Sequence, residues 1–134
     1  MNREIEFRGK HEAGAWAYGS LFTYTDSEKR HEIIFFPHRN SLLSRVTVIP
    51  KTVGEFTGLL DRNGVKIFEG DVCKCKRQIF EIVHNQCGLY AKIKKTGISH
   101  GHIVYKTCYE LIDDLIGIEV IGNVHEHKHL LEEA

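Results

Sequence analysis

Asn63-Gly64 sits inside the stretch FTGLLDRNGVKIFEGDV, residues 56–72, and no other part of the chain restricts the fold as tightly. Leu59-Leu60 precedes the pair and Val65 and Ile67 follow it, so two short apolar runs flank a turn signal. A two-residue connection between strands needs positive φ at both central positions, which Asn tolerates and Gly adopts freely. Asp61 stands just ahead, where its short carboxylate can accept turn amides. A second reversal follows at Glu69-Gly70-Asp71, and Val72 opens a strand with Cys73 and Cys75 on one face and Lys74 and Lys76 on the other. Gly58, Leu59, Asp61, Asn63, Gly64, Glu69, Gly70 and Asp71 therefore form a fold-defining turn motif. Asp61, Glu69 and Asp71 also make a candidate acid/base or divalent-cation set, although acids beside glycine in hairpins ordinarily shape turns. The spacing is not that of a helix–loop–helix calcium loop.

Several further motifs accompany this stretch in a fixed order. Phe7-Arg8-Gly9-Lys10 and Gly14-Ala15-Trp16-Ala17-Tyr18-Gly19 come first, then Val48-Ile49-Pro50 and Thr52-Val53-Gly54. Phe56-Thr57-Gly58-Leu59, Asp61-Arg62-Asn63-Gly64 and Ile67-Phe68-Glu69-Gly70-Asp71-Val72 follow, and Glu119-Val120-Ile121-Gly122-Asn123-Val124 comes late. In this order they resemble the YopX family, small proteins encoded by bacteriophages and prophages, over nearly the whole chain. Residues 74–116 are the least alike. The resemblance implies a mostly β, barrel-like fold with a minor helical part, and self-association. It implies no activity.

The rest of the chain reads as short strands separated by turn signals. Ile5 and Phe7 alternate in a first strand, and a second runs over residues 15–24. There Trp16, Tyr18, Phe22 and Tyr24 share one parity and Ala15, Ala17, Gly19 and Leu21 the other. The aromatic row reads as core or subunit interface, since aromatics dominate burial in both, though such a row can also stack bases. Strands over 32–36 and 45–49 end at Pro37 and Pro50. Those over 79–83 and 89–93 flank a hairpin turn at Asn85-Gln86-Cys87-Gly88. Residues 95–102 read as a flexible loop. Leu111, Ile112 and Leu115 stand at helical spacing over 109–115, residues 118–124 return to a β pattern, and Leu130-Leu131 begins a short terminal turn or helix. The expected architecture is a single mainly β domain over residues 1–134, with minor α. It takes the form of a small barrel or rolled antiparallel sheet with a short helix near the C-terminus.

Composition narrows the function classes. Lys+Arg 18 against Asp+Glu 18 gives a formal net charge of +0, which counts against a protein built chiefly to grip phosphate backbones. The chain has no apolar run long enough to span a bilayer, and its charged start lacks the apolar stretch of a signal peptide. A cytoplasmic protein with no membrane partner and reduced cysteines is expected.

Three constellations remain as candidate chemistry. Lys74, Lys76, Arg77, Lys92 and Lys94, with Lys95 and Lys106, interleave with Phe80, Tyr90 and Tyr105. On adjacent strands they could grip single-stranded nucleic acid, whereas lysines on exposed strands also block unwanted pairing. His125, His127 and His129 could ligate zinc or nickel, with a solvated tail as the simpler reading. Relatives in the resembled family carry an aromatic, an Asn and a Pro there, which weakens the metal case. Cys73 and Cys75 form no CxxC pair and read as buried thiols. No G-x-S-x-G elbow or glycine-rich phosphate loop is present. The reading is a non-enzymatic phage or prophage accessory protein without a cofactor, self-associating and binding a host or phage macromolecule. A small-barrel nucleic-acid binder is the first alternative and a metal-dependent enzyme the second.

Overall fold

Asp61 organises the central turn through its side chain. In the computed structural model, which describes residues 4–25, 29–76, 78–85, 88–100, 102–111 and 117–132, Asp61 Oδ1 accepts the amides of Asn63 (2.8 Å) and Val65 (2.9 Å). The Gly64 amide donates to the Asp61 carbonyl, and the Asp61 amide to that of Val65. Gly64 has φ +83°, but Asn63 does not enter the left-handed region. The expected two-residue turn, with positive φ at both Asn63 and Gly64, is thus a longer turn closed by a glycine bulge. The carboxylate holds Arg62 and Asn63 in ordinary turn conformations, so only Gly64 has to be left-handed.

The chain divides into two compact units, residues 1–58 and 59–134. In the first, β1 (Phe7–Lys10), β2 (Trp16–Thr23), β3 (His31–Phe35) and β4 (Ser44–Val48) form an antiparallel meander. The start of β5 (Gly54–Leu60) pairs back onto β1, through Phe7 with Glu55 and Arg8 with Gly54. The sheet curls enough for the Ile49 amide to reach the Lys10 carbonyl at 2.8 Å. Its inner face buries Ala17, Ile33 and Val48, with Phe7, Leu21, Phe35, Val46 and Val53 packed against them.

The second unit contains β6 (Lys66–Phe68), β7 (Asp71–Cys75), β8 (Gln78–Asn85), β9 (Gly88–Ser99), β10 (His102–Leu111) and β11 (Glu119–Asn123). A single turn of helix, α1 (His129–Glu132), follows. Five of these strands make an antiparallel sheet in the order β10-β9-β8-β7-β11. Its core gathers Ile67, Cys73, Cys75, Phe80, Ile82, Ala91, Ile93 and Ile118. Cys73 and Cys75 face the core as read and Lys74 is exposed, but Val72, read on the same face as Lys74, is itself fully buried.

Mainly β architecture, antiparallel pairing and a short C-terminal helix all agree with the sequence reading. The barrel does not. Neither sheet closes, because closure needs a continuous staggered ladder between first and last strands. Among the described residues, the first unit supplies there the Ile49 amide bond to Lys10, beyond the end of β4. Two local readings also change. Residues 95–99 belong to β9 and β10 opens at His102, opposite Ser99, so the described residues of the expected loop are largely strand. Tyr109, Glu110 and Leu111 lie on β10 opposite Lys92, Ala91 and Tyr90, so the helix expected over 109–115 begins as strand. Its remaining positions, 112–115, lie outside the described residues. Three apolar side chains in seven residues fit either period, and pairing along β9 decides for the strand.

Candidate functional site

The meander of the first unit turns its aromatic row outward. Because β2 alternates, Ala17 and Leu21 enter the core and Tyr18, Ser20 and Phe22 take the opposite face. Tyr18 remains 47% exposed and Phe22 48%. Of the two expected settings for this row, core is ruled out. Alternation showed that two faces exist but not which one the curled sheet would bury, and its concave side takes the smaller residues.

Arginines and one carboxylate organise the face opposite the core, which is buried at Arg8 (7% exposed) and open at Tyr18 and Phe22. The Arg8 guanidinium lies over the Trp16 ring, 4.9 Å from its centroid, and Arg30 lies 4.4 Å from that of Tyr24. Phe22 and Tyr24 meet edge to face at 5.0 Å. The Tyr24 hydroxyl donates to Glu32 Oε1 at 2.6 Å, and Arg45 approaches the same oxygen at 3.9 Å. Register places Phe22 opposite Glu32 and Glu32 opposite Thr47, with Ser20, Ile34 and Arg45 in the next row. Phe36 and Leu43 follow directly on the last β3–β4 pair, Phe35 with Ser44, and Tyr18 stands two residues before Ser20 on β2. Phe36 and Leu43 are 68% and 50% exposed, and Leu42 beside them is 90% exposed. The result is an apolar, aromatic surface with a balanced Arg–Glu pair at its centre. The arginine–aromatic pairs are not legible in the sequence, where Arg8 and Trp16 stand eight positions apart and Tyr24 and Arg30 six. Strand register was the missing information.

The turn motif serves the fold. Asp61 Oδ2 accepts the Val120 amide at 3.0 Å, which ties the hairpin to β11. Burial of Asp61 pushes its pKa upward, but the amides of Val120, Val65 and Asn63 and the nearby Arg62 outweigh it and hold the carboxyl below its ordinary value. Asp71, buried beside β7, accepts the Phe68 amide at 2.7 Å. Gly70 has φ +91°, its amide donates to Ile82, and its carbonyl accepts from Val124. Gly58 and Leu59 lie on β5, and Leu59 packs against the core of the second unit. Glu69 is half-buried in the turn before β7. Asp61 and Asp71 thus spend carboxylate oxygens on backbone amides, as turn-shaping acids do.

Part of the lysine constellation faces acids, whereas Lys95 of β9 stands across from Lys106 of β10. On β7 Lys74 stands directly across from Glu119 of β11, and on β9 Lys92 stands across from Glu81 of β8. Opposite charges at facing positions stabilise a sheet and dilute the positive field a phosphate chain would follow. Lys76 turns the β7–β8 hairpin with φ +56°, and Lys94 lies on β9 opposite Thr107. Arg77 lies outside the described residues.

The histidines have separate employments. The Asn123 amide donates to His127 Nδ1 at 3.2 Å, and the His127 amide donates to the Asn123 carbonyl at 2.7 Å. Asn123 Oδ1 accepts the amides of His125 and Glu126, both at 3.0 Å. The rings of His127 and His129 are 6.3 Å apart, and no group of three metal-binding side chains occurs among the described residues. The tail that read as solvated is a folded turn leading into α1.

A chain of two antiparallel sheets with turn-fixing carboxylates and an outward aromatic face is, as a class, a small all-antiparallel β protein. The YopX protein family model matches residues 6–132, and the chain belongs to that family. Among solved structures, the crystal structure of protein EF1440 from Enterococcus faecalis is similar, with 18% identity and a TM-score of 0.47. The match covers 97% of this chain and 99% of that one. No curated protein is significantly similar to the chain.

Proposed function

We propose that this YopX-family chain is a non-enzymatic, phage- or prophage-encoded accessory protein that acts by binding. Its binding surface is the outward face of β2, β3 and β4, and one of its partners is a second copy of itself. The observation that carries the reading is the exposure of Tyr18 and Phe22, at 47% and 48%, on a sheet face bordered by Phe36, Leu42 and Leu43. Aromatic and apolar side chains grouped on one open face mark interaction surfaces. The Glu32–Arg45 pair at the centre of the face supports a protein partner, and a self-complementary one. A nucleic-acid surface would carry a basic excess, whereas here and around Lys74 and Lys92 the charges are matched.

Sedimentation of charge-swapped chains tests the reading. The wild type sediments as an oligomer at tens of micromolar, while Glu32→Arg and Arg45→Glu each sediment as monomers. An equimolar mixture of the two variants then re-associates, because the positive face of one meets the negative face of the other. A wild-type chain that stays monomeric at high concentration removes self-association. Variants that associate separately as well as the wild type move the contact away from this face.

A further inference from the structure

The first unit also holds an open cleft of about 340 Å³, lined by His11, Glu12, Arg30, Thr47, Val48 and Pro50 among others. Three separated segments meet there: the turn after β1, the residue leading into β3, and the end of β4 with the turn that follows. We propose that this cleft binds a small phosphorylated molecule that also bears hydroxyl groups, of the size of a nucleoside monophosphate.

The walls are built and stitched together. Thr52, 3% exposed, accepts the Lys10 amide at 2.9 Å and donates its hydroxyl to the Ile49 carbonyl at 2.6 Å. The Ile49 amide donates to the Lys10 carbonyl at 2.8 Å. One buried hydroxyl and one backbone bond thus fix the end of β4 against the end of β1. The His11 turn is closed by its amide on the Ala15 carbonyl and by the Gly14 amide on the His11 carbonyl, each at 2.8 Å. Arg30 is placed by its carbonyl, which accepts the Tyr24 amide at 2.9 Å, and by its guanidinium lying on the Tyr24 ring. A cleft preorganised in this way loses little entropy when a ligand enters.

Its lining divides by chemistry. His11 Nδ1 accepts the Ala13 amide at 3.0 Å, which puts the proton of the neutral ring on Nε2 and makes that nitrogen a donor. The Arg30 guanidinium and the Thr47 hydroxyl line the same cleft, so its lining carries the types of donor that a phosphate oxyanion accepts. Glu12 is an acceptor and repels a bare anion, so it suits the hydroxyls of a sugar carried by the same molecule. Ile49 and Pro50 supply an apolar wall. A volume of about 300 Å³ or more is the scale of small-molecule sites.

Titration of the ¹⁵N-labelled chain with inorganic phosphate and, separately, with adenosine 5′-monophosphate at low ionic strength tests the assignment. Saturable shifts are expected at His11, Glu12, Arg30 and Thr47. Arg30→Gln weakens the nucleotide by about tenfold or more, the scale of losing a charge-assisted bond. Glu12→Gln moves the two probes in opposite directions: inorganic phosphate binds more tightly, and the nucleotide more weakly. Thr47→Val, which leaves the Arg30–Tyr24 contact in place, weakens both and guards against a folding artefact in Arg30→Gln. No saturable shift with either probe, or shifts that survive Arg30→Gln, overturns the proposal. The cleft adjoins the outward face but works in a monomer, so loss of self-association in the charge-swapped chains leaves this test standing.

Discussion

At the scale of single residues, Asp61 is the clearest case of an acid whose chemistry is structural. One carboxylate accepts three backbone amides, from Asn63, Val65 and Val120, and its residue is 7% exposed. Removing it strands donors with little access to water, so Asp61→Ala is expected to cost about 2–3 kcal/mol in chemical denaturation at pH 7. Asp61→Asn keeps one acceptor but turns an amide NH2 toward donors, and it loses the charge. The pH dependence follows from the lowered pKa. The unfolded carboxyl protonates near its ordinary value of 3.8 and the folded one only at lower pH. Its stabilising contribution is therefore complete above that value and is lost as the pH falls through the folded pKa. Acid unfolding monitored by circular dichroism should show this component in the wild type and a shallower fall in Asp61→Asn.

At the scale of elements, the sequence was most legible where side-chain chemistry and backbone demand coincide. Gly64 and Gly70 are left-handed as their turns require, and the Asn85–Gly88 hairpin pairs as read. Legibility failed where two patterns fitted one stretch, as with Leu111 on β10, or where the buried side had to be known, as with Tyr18 and Phe22. It also failed where one side chain replaced a backbone requirement, as Asp61 does for Asn63. Two glycines separate these causes experimentally. A Cβ at Gly64 meets nothing within 4 Å, so Gly64→Ala pays only for its φ of +83°, about 1–2 kcal/mol. A Cβ at Gly122 would lie 2.7 Å from both Cγ and Nδ1 of His127, so Gly122→Ala should displace the ring that accepts the Asn123 amide. Its cost of about 1–3 kcal/mol should shrink in a His127→Gly background, which also removes the His127 Cβ that would lie 2.8 Å away. A double-mutant cycle that gives the same cost in both backgrounds would place the strain elsewhere in β11.

At the scale of the whole molecule, the two units carry separate apolar cores. The cluster around Ala17, Ile33 and Val48 and the cluster around Phe80, Ile82 and Ile93 share no residue, and β5 runs from one unit into the other. Local opening is governed by the apolar contacts that each segment must break. A methyl removed from one core should therefore loosen its own strands first. Ile33 and Ile82 are both fully buried, and Ile→Val at either site should cost about 1 kcal/mol. In native-state hydrogen exchange, Ile33→Val should speed exchange of the amides of β2, β3 and β4 about fivefold, the equivalent of that energy at room temperature. Protection along β7 and β8 should stay unchanged, and Ile82→Val should give the reverse pattern. If both variants accelerated both sets of amides equally, the chain would open as one cooperative body. The shared β5 strand would then be the first place to look for the coupling. Separate responses would instead let the first unit present its aromatic face and cleft while the second holds its own fold, which makes substitutions in β7 to β11 neutral for binding measured at the first unit.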